Sequence, residues 1–417
     1  MTKRKRLGVG IVGGGFNAKF HIRSWTGVRD ADIVGIVDKN EETARLAAGL
    51  IQKLRVGEGR IFRSITDMVA DPVVDAVWIC IPNFVRLEVM EEIVHALEKG
   101  KGELIGVTCE KPLGRNVEEA RKMRDLALKA GLLDGYLENQ LFMPAVTRGK
   151  EIVWGRGAAT TGRPYLARAA EEHGGPHMPW FWEGALQGGG VLNDMMCHSV
   201  EVARFILTPP GDVRGVLTPR RVTAFTSCLK WQDPEYARIL SDQSEGKTDY
   251  IRRPAEDFAR SLVEYSDDKG KRLVVETTTS WCFIGAGLRL SMELLGPEYS
   301  MAINTLDSGL KVFFSRRVAG SVGEDLVEKQ NAETGLMPVV ADEENEYGYK
   351  AENVHMVRSF LDGLRPFENF DDGLNVTELL MTAYMSAERE KTIRFPPPGL
   401  DAFVPAVAKG EWNPGNR

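Results

Sequence analysis

Two titratable side chains, Asp194 and His198, stand four residues apart directly after three glycines, Gly188 to Gly190. The apolar residues around them predict a helix, and on a helix this spacing places both side chains on one face. The carboxylate can then orient an imidazole that exchanges protons near neutral pH. The glycines let the backbone turn tightly and approach a ligand closely. We interpret the pair as catalytic, with a surface ion pair as the alternative; a metal site is disfavoured because no nearby third ligand has a suitable spacing.

A second glycine-rich turn, near the amino terminus, predicts a dinucleotide site. Leu7 to Val12 reads as a β-strand, and the next six residues, Gly13 to Ala18, fit G-x-G-x-x-G/A. A second strand, Asp32 to Val37, ends on Asp38, 20 residues after Ala18. In this arrangement the glycines admit a pyrophosphate to a helix N-terminus, and the acidic side chain binds the adenosine ribose hydroxyls. The candidate cofactor-binding residues of this segment are Gly13, Gly15, Phe16, Asn17, Asp38 and Lys39.

Asp38 also bears on which dinucleotide is bound. A carboxylate at this position repels the 2′-phosphate of NADP, so NAD is the predicted cofactor. Lys39 beside it keeps NADP open as an alternative.

The β-α alternation continues with strands at Asp75 to Ile81 and Leu104 to Cys109, which predicts a doubly wound parallel sheet of the Rossmann type. Polar sequences follow both strands, and ligands of such sheets bind beyond the carboxyl ends of the strands. Lys111 is suited to a substrate hydroxyl there, because partial burial lowers the pKa of an amine toward neutrality. Ordinary strand-to-helix turns are the alternative. The candidate cofactor-binding residues at this edge are Ile81, Pro82, Asn83, Glu110 and Lys111.

The regular β-α rhythm stops near residue 140, so we predict a first domain over residues 1–140 and a second domain over residues 141–417. The β-type segments of the second domain are not evenly separated by helices, which predicts an α+β fold with an open, mainly antiparallel sheet. Its C-terminal helices can pack back on the first domain. Polar excursions are expected over residues 231–253 and 320–350. The predicted strands are Tyr165 to Ala170, Val222 to Lys230, Arg272 to Ser280, Leu288 to Leu295 and Leu310 to Phe314.

An aromatic cluster precedes the three glycines of the catalytic candidate. Trp180 and Trp182 are candidate walls of a substrate site, because the C–H faces of sugar rings stack well on indoles. Arg168 and His177 lie on the same approach in the sequence and are further substrate-binding candidates. Packing in the core is the alternative for the tryptophans.

Composition excludes several functional classes. The 417 residues are 43% hydrophobic and 27% charged, which is ordinary for a soluble globular protein. The net charge of −6 argues against nucleic acid as a partner, and the basic run Lys3 to Arg6 is interpreted as a solvated tail. No apolar segment is long enough to cross a membrane and no signal peptide is recognised, so we expect a cytoplasmic protein without a membrane partner. The five scattered cysteines favour reduced thiols.

With these residues identified, the chain resembles the Gfo/Idh/MocA family of nicotinamide-dependent sugar and cyclitol oxidoreductases. The resemblance rests on Gly13 to Ala18 with Asp38, on Pro82-Asn83, on Glu110-Lys111-Pro112, on the glycine run with Asp194 and His198, and on Phe360 to Pro366 leading to Asp372-Gly373-Leu374. It implies a Rossmann domain followed by a substrate-binding domain whose open sheet often serves as a dimer face, and hence a homodimer or homotetramer. It also implies that Lys111, Asp194 and His198 form a catalytic trio.

The chain departs from the family pattern in two places. Family members usually carry Thr-Pro-Asn followed closely by a histidine, whereas here Ile81 replaces the threonine and residues 84–90 contain no histidine. The region from Thr208 to Arg253 is also longer than in compact members. Both departures border the substrate side and leave the identity of the sugar open.

The predicted reaction is hydride transfer between a secondary alcohol of a sugar, glycoside or cyclitol and NAD(P). His198 accepts the hydroxyl proton while Lys111 stabilises the same oxygen, or the two exchange these roles. One alternative is a redox-neutral enzyme that cleaves or eliminates a glycosidic group with tightly bound NAD. A second alternative is a non-catalytic NAD-binding sensor.

Overall fold

Parallel β-α units make up the amino-terminal third of the chain, in a computed structural model that describes residues 6–211, 215–314 and 335–411. Lys3 to Lys5 of the basic run, residues 212–214 of the long 208–253 region and residues 315–334 of the polar 320–350 region lie outside the described residues. The chain divides into a first unit, Met1–Pro144 with Glu344–Asn375, and a second unit, Ala145–Glu343 with Val376–Arg417. The functional division expected at residue 140 stays a prediction.

The first unit is built on a six-stranded sheet in which every neighbouring pair is parallel, with strand order β3-β2-β1-β4-β5-β6. This is the order of a Rossmann fold, and it confirms the predicted doubly wound sheet. The elements are β1 (Leu7–Val12), α1 (Phe16–Ser24), β2 (Ala31–Val37), α2 (Glu41–Leu54), β3 (Gly57–Ile61), α3 (Ile65–Val69), β4 (Ala76–Ile79), α4 (Arg86–Glu98), β5 (Gly106–Glu110), α5 (Val117–Lys129) and β6 (Leu133–Leu137).

The second unit contains a seven-stranded sheet and a two-stranded one. The elements up to residue 343 are α6 (Pro144–Ile152, which begins on the last residue of the first unit), α7 (Ala159–Thr161), β7 (Leu166–Glu172), α8 (Gly184–Gln187), α9 (Val191–Leu207), β8 (Thr218–Ser227), α10 (Pro234–Gln243), β9 (Phe258–Ser266), β10 (Arg272–Ser280), β11 (Arg289–Leu295), β12 (Ser300–Asn304), β13 (Leu310–Phe314) and β14 (Gly335–Val339). The remaining elements are divided between the two units, and residues 344–375 belong to the first. They are α11 (Glu343–Glu346), α12 (Tyr349–Leu361), α13 (Phe370–Arg389), β15 (Ile393–Arg394) and α14 (Ala406–Lys409).

The seven-stranded sheet runs β12-β11-β7-β10-β9-β8-β15, and only the β7–β10 pair in it is parallel. The prediction of an open, mainly antiparallel sheet is therefore confirmed. Helix α9 packs on β7 and β10, and every residue of α9 except Phe205 is buried. Side chains of a strand alternate between the two faces, so one face of this sheet packs beneath α9 and the other carries exposed charged residues such as Arg168 and Glu293. Among the described residues, no helix is long and apolar enough to span a membrane.

The segment 344–375 is tied to the last strand of the first sheet by a buried carboxylate. Asp134, on β6, accepts hydrogen bonds from Arg365 Nε at 2.8 Å and Nη2 at 2.9 Å, and from the backbone amide of Phe370 at 2.7 Å. Arg365 also donates to Asp371 at 2.5 Å. A bidentate, charge-assisted pair of this kind fixes both direction and distance between β6 and the start of α13.

We expect Asp134→Ala to destabilise the first unit by about 1–3 kcal/mol, because it leaves the Phe370 amide and the Arg365 fork without their buried acceptor. The midpoint of urea unfolding, followed by tryptophan fluorescence, measures the loss. Glu118→Ala is the matched control, since Glu118 forms an exposed pair with Lys122 on α5 and its removal should leave the midpoint unchanged. Equal midpoints for the two variants would show that Asp134 does not anchor the segment.

Candidate active site

The glycine turn after β1 leaves the start of α1 accessible. Gly13 has φ +99°, and a Cβ there would lie 2.4 Å from the carbonyl oxygen of Cys80, so only glycine fits this close approach to β4. Gly15 is the N-cap of α1 and offers no capping side chain. Apart from Gly15 and its two neighbours in the chain, no atom of the described residues lies within 4 Å of an ideal Cβ at Gly15. There is therefore open space at the N-cap of α1, next to the first-turn amides. A pyrophosphate could occupy this space and accept hydrogen bonds from these amides.

Asp38 is held beside the same turn. Its carboxylate accepts hydrogen bonds from the amides of Gly14 and Asn40, each at 2.8 Å. The side chain is half-buried, and a carboxylate has lone pairs left for further donors such as ribose hydroxyls. Lys39 next to it is exposed. The residues of this turn thus fit the dinucleotide that the sequence predicts.

One guanidinium joins the two loops at the carboxyl edge of the sheet. Arg86, the buried first residue of α4, donates from Nε to the carbonyl of Ile81 at 2.9 Å and from Nη1 to the carbonyls of Glu110, at 2.6 Å, and Pro112. These carbonyls flank Lys111, which is itself half-buried. Arg86 therefore fixes the backbone on both sides of the candidate amine.

Arg86 was missed by the sequence reasoning. The available signal was a charged residue at an otherwise apolar helix start, within the segment where the resembled family carries a histidine.

The side chain of Glu110 is buried within the first unit. Its Oε1 lies 2.8 Å from His21 Nε2 on α1, and its Oε2 accepts from the amide of Lys111 at 3.1 Å. The other ring nitrogen of His21 lies 3.2 Å from the amide oxygen of Asn353 on α12. Burial opposes ionisation of Glu110, but His21, Arg86 and Lys111 outweigh it and hold the pKa of this carboxyl below its ordinary value. The carboxylate of Glu110 therefore has a structural role, while the cofactor contact predicted for Glu110, Ile81, Pro82 and Asn83 stays a prediction.

In the second unit the glycine run before α9 packs against protein. Gly188 has φ +86°, and a Cβ on Gly189 would lie 1.9 Å from the hydroxyl oxygen of Tyr384. A Cβ on Gly190 would lie 2.3 Å from the carbonyl oxygen of Glu256. The space beside Gly189 and Gly190, which the sequence suggested could admit a ligand, is therefore filled by Tyr384 of α13 and by Glu256, two residues before β9.

Asp194 and His198 both lie on α9, as predicted, with only 5% and 4% of their surfaces exposed. This burial is not compatible with a surface ion pair, the alternative that the spacing left open. Cys197, between them, donates from Sγ to the carbonyl of Asp194 at 3.1 Å. A buried carboxylate and imidazole one helical turn apart form a pair that can hold and pass a proton.

The structure separates the four substrate-binding candidates. Arg168 is on the exposed face of β7, where it pairs with Glu276 at 3.0 Å and Glu293 at 2.9 Å. This face is opposite to the one that packs beneath α9, so strand alternation directs Arg168 away from Asp194 and His198, and its predicted role is corrected to a surface ion-pair row. The substrate contact predicted for Trp182 is likewise replaced by packing in the core.

Trp182 belongs to the core. Its ring centroid lies 4.8 to 5.4 Å from those of Trp231, Tyr250 and Trp281, and its indole donates to the carbonyl of Pro176 at 3.0 Å. Trp180 is half-buried and stacks on Phe181 with centroids 3.7 Å apart, and His177 is exposed. Trp180 and His177 are therefore accessible and, unlike Arg168 and Trp182, remain candidates for a substrate contact.

Two protein-family models match this chain. Residues 7–135 match the family model described as an oxidoreductase family with an NAD-binding Rossmann fold, and residues 158–300 match the GFO/IDH/MocA C-terminal domain. The chain is 33% identical over 153 residues to 1,5-anhydro-D-fructose reductase of Ensifer adhaerens, covering 36% of this chain and 43% of that protein. It is 31% identical over 213 residues to D-glucoside 3-dehydrogenase of Escherichia coli, covering 49% and 55%. The chain spans about half the length of the curated relatives it matches.

Among solved structures, GenD2 from gentamicin A biosynthesis in complex with NAD aligns with a TM-score of 0.73 and 24% identity, covering 94% of this chain and 97% of that one. This likeness extends the shared fold over nearly the whole chain. Since the models of the amino-terminal and carboxyl-terminal family domains both match, the chain belongs to the Gfo/Idh/MocA family of oxidoreductases.

Proposed function

We propose that this protein transfers a hydride between a secondary alcohol of a sugar, glycoside or cyclitol and NAD. The observation that carries the proposal lies in the first unit. Lys111 directly follows β5, at the same carboxyl edge of the parallel sheet as the open glycine turn that follows β1. The named activities of the relatives, a sugar reductase and a glucoside dehydrogenase, support the substrate class.

The chain's own residues would hold the cofactor in a defined way. Gly13, Gly15, Phe16 and Asn17 would receive the pyrophosphate at the start of α1, and Asp38 would accept the ribose hydroxyls. When bound, NAD supplies the hydride acceptor. Asp38 favours NAD over NADP because its carboxylate repels a 2′-phosphate.

In this proposal three side chains transfer the proton of the substrate hydroxyl and stabilise the charge on its oxygen. His198 accepts the proton of the carbinol, and Asp194, one turn before it on α9, orients the imidazole and stabilises its protonated form. Lys111 donates a hydrogen bond to the same oxygen and stabilises the charge that develops there. The parts played by Lys111 and His198 can be exchanged without altering the chemistry. His177 and Trp180 are the remaining candidates for contact with the rest of the substrate.

We also propose a homodimer or homotetramer in the cytoplasm. The open face of the seven-stranded sheet exposes Phe225 and Leu262 beside the row Glu276, Arg168 and Glu293. A two-fold axis that lies between Arg168 and a neighbouring glutamate would set opposite charges of the two copies against each other, which suits an interface between two copies of the chain. None of the five cysteines, all of which are among the described residues, forms a disulfide, and this supports a reducing compartment.

The reaction is tested by following NADH formation with a panel of inositols, aldoses and glycosides. We expect turnover on at least one compound, and His198→Ala should lower kcat/KM on the best substrate by about 10²–10⁴-fold, as is usual for loss of a general base. His95→Ala, a histidine on the exposed side of α4, is the matched control and should leave turnover unchanged. Full turnover in His198→Ala would overturn its assignment.

Two other outcomes of the same assay decide between the alternatives. Release of an aglycone without net NADH formation would replace the proposed reaction with redox-neutral glycoside cleavage. NAD binding without turnover of any compound would indicate a sensor.

Cofactor choice is tested at Asp38. The wild-type protein should use NAD in preference to NADP, and Asp38→Ser should lower that preference by at least about tenfold, which corresponds to 1.4 kcal/mol. The ratio of kcat/KM for the two cofactors measures it. Glu41→Ser removes an exposed charge in the first turn of α2 and serves as the control. An unchanged ratio in Asp38→Ser would contradict the assigned ribose contact.

A further inference from the structure

The amino end of α9 is buried, and every amide in its first turn has a partner from a distant part of the second unit or from the helix itself. The amide of Gly190 donates to Glu256 Oε1 at 2.8 Å and to the Tyr384 hydroxyl at 3.1 Å. The amide of Val191 donates to the Glu256 carbonyl at 2.9 Å, and that of Leu192 to Glu256 Oε1 at 3.2 Å. The amide of Asn193 donates to the Tyr384 hydroxyl at 3.3 Å.

These contacts replace an ordinary N-cap. A helix begins with amides that lack intrahelical acceptors, and a Ser, Thr, Asp or Asn side chain usually accepts from them. Gly190 stands at the N-cap of α9, and a side chain there would collide with the carbonyl of Glu256. The Tyr384 hydroxyl completes the arrangement by donating to Glu256 Oε1 at 2.5 Å. Glu256 and Tyr384 together are hereafter called the α9 cap.

The α9 cap is directly connected to the catalytic candidates. The amide of Asp194 donates to the carbonyl of Gly190 at 3.2 Å, so the capped turn is the turn that carries Asp194. His198 follows one turn later on the same helix. A helix is stiff over two turns, and a misplacement of a reacting group by about 1 Å can reduce a rate about 10²-fold.

We propose that Glu256 and Tyr384 are positioning residues, which set the location of Asp194 and His198 by fixing the first turn of α9. The inference rests on the proposed function for its effect on catalysis, but its structural part does not. Neither residue needs to touch substrate or cofactor. They act through the backbone of residues 190–194.

Glu256 also gives the α9 cap a pH dependence. Burial raises the pKa of Glu256 to about 7, although the Tyr384 hydroxyl and the amides of Gly190 and Leu192 favour the ionised form. The titratable groups that face it are Tyr384 from α13, and Tyr250 and Cys228 from the segments around β8 and β9. Oε2 of Glu256 has no hydrogen-bond partner among the described residues.

The raised pKa of Glu256 determines how the stability of the protein changes with pH. Because the pKa in the folded protein lies above the ordinary value for a glutamate, folding favours the protonated carboxyl. Stability from this group is present at low pH and is lost as the pH rises through about 7. Glu256→Gln cannot ionise, so it should lack this loss while keeping an oxygen that accepts from Gly190 and Leu192.

The test compares Tyr384→Phe, Glu256→Ala and Glu256→Gln in the full-length protein. Hydrogen exchange of the peptide that covers residues 188–198 is read by mass spectrometry. We expect at least about tenfold faster exchange in Tyr384→Phe and Glu256→Ala, because the capped amides lose their acceptors, and near wild-type exchange in Glu256→Gln at pH 6. Tyr299→Phe is the matched control, since it removes a tyrosine hydroxyl that donates to Gly162 elsewhere in the second unit.

The catalytic readout is kcat on the best substrate of the panel together with the Kd for NAD. We expect kcat to fall between about tenfold and a hundredfold in Tyr384→Phe and Glu256→Ala, with an unchanged Kd for NAD and with rescue in Glu256→Gln. The thermal midpoint of the wild type should decline relative to that of Glu256→Gln between pH 5 and 8.

The two readouts separate failure of this inference from failure of the proposed function. Wild-type exchange over residues 188–198 in Tyr384→Phe and Glu256→Ala would overturn the α9 cap, whatever the turnover. Faster exchange with unchanged kcat would overturn its positioning role. If the wild type turns over no compound, the proposed function fails, and faster exchange in the two variants still supports the α9 cap.

Discussion

The constraint on which the arrangement depends is that buried backbone amides and carbonyls must be paired. Lys111 directly follows the end of β5, and Asp194 lies in the first turn of α9. Backbone polar groups at such ends lack partners within their own element. In the first unit the carbonyls on either side of Lys111 find their donor in Arg86. In the second unit the amides that precede Asp194 find their acceptors in Glu256 and Tyr384. Each of these two backbone segments is therefore held by charged or polar side chains from elsewhere in the same unit. These contacts also restrict the positions of the candidate catalytic side chains that the segments carry.

Two glycine triplets with similar sequences serve opposite purposes. Gly13 to Gly15 bring β1 close to β4 and leave open space at the start of α1, so the helix N-terminus can receive an anion. Gly188 to Gly190 make room for Tyr384 and the backbone of Glu256, which use up the amides at the start of α9. Glycine supplies the absence of a Cβ in both places, and the neighbours decide whether a ligand or the protein fills the space.

Much of the fold could be predicted from local sequence patterns. The sheet of the first unit was predictable because buried parallel strands are nearly continuous apolar runs, and α9 was predictable from its apolar periodicity. Glu256 and Tyr384 were not predictable as a cap, because they lie 66 and 194 residues from Gly190 and only the tertiary fold brings them to it. Arg168 and Trp182 were misjudged for a different reason. Closeness in sequence to the glycine run says nothing about strand parity, which directs Arg168 to the opposite face, or about the aromatic core that encloses Trp182.

The central claim is that Lys111 and His198 act on one substrate oxygen, the first through a hydrogen bond and the second through its proton. A double-mutant cycle in single-turnover hydride transfer tests it most directly, with Lys111→Ala, His198→Ala and the double variant compared on the best substrate. Groups that act as a unit are strongly non-additive, so the double variant should be within about tenfold of the slower single variant. A double variant whose rate loss equals the product of the two single losses would contradict the claim.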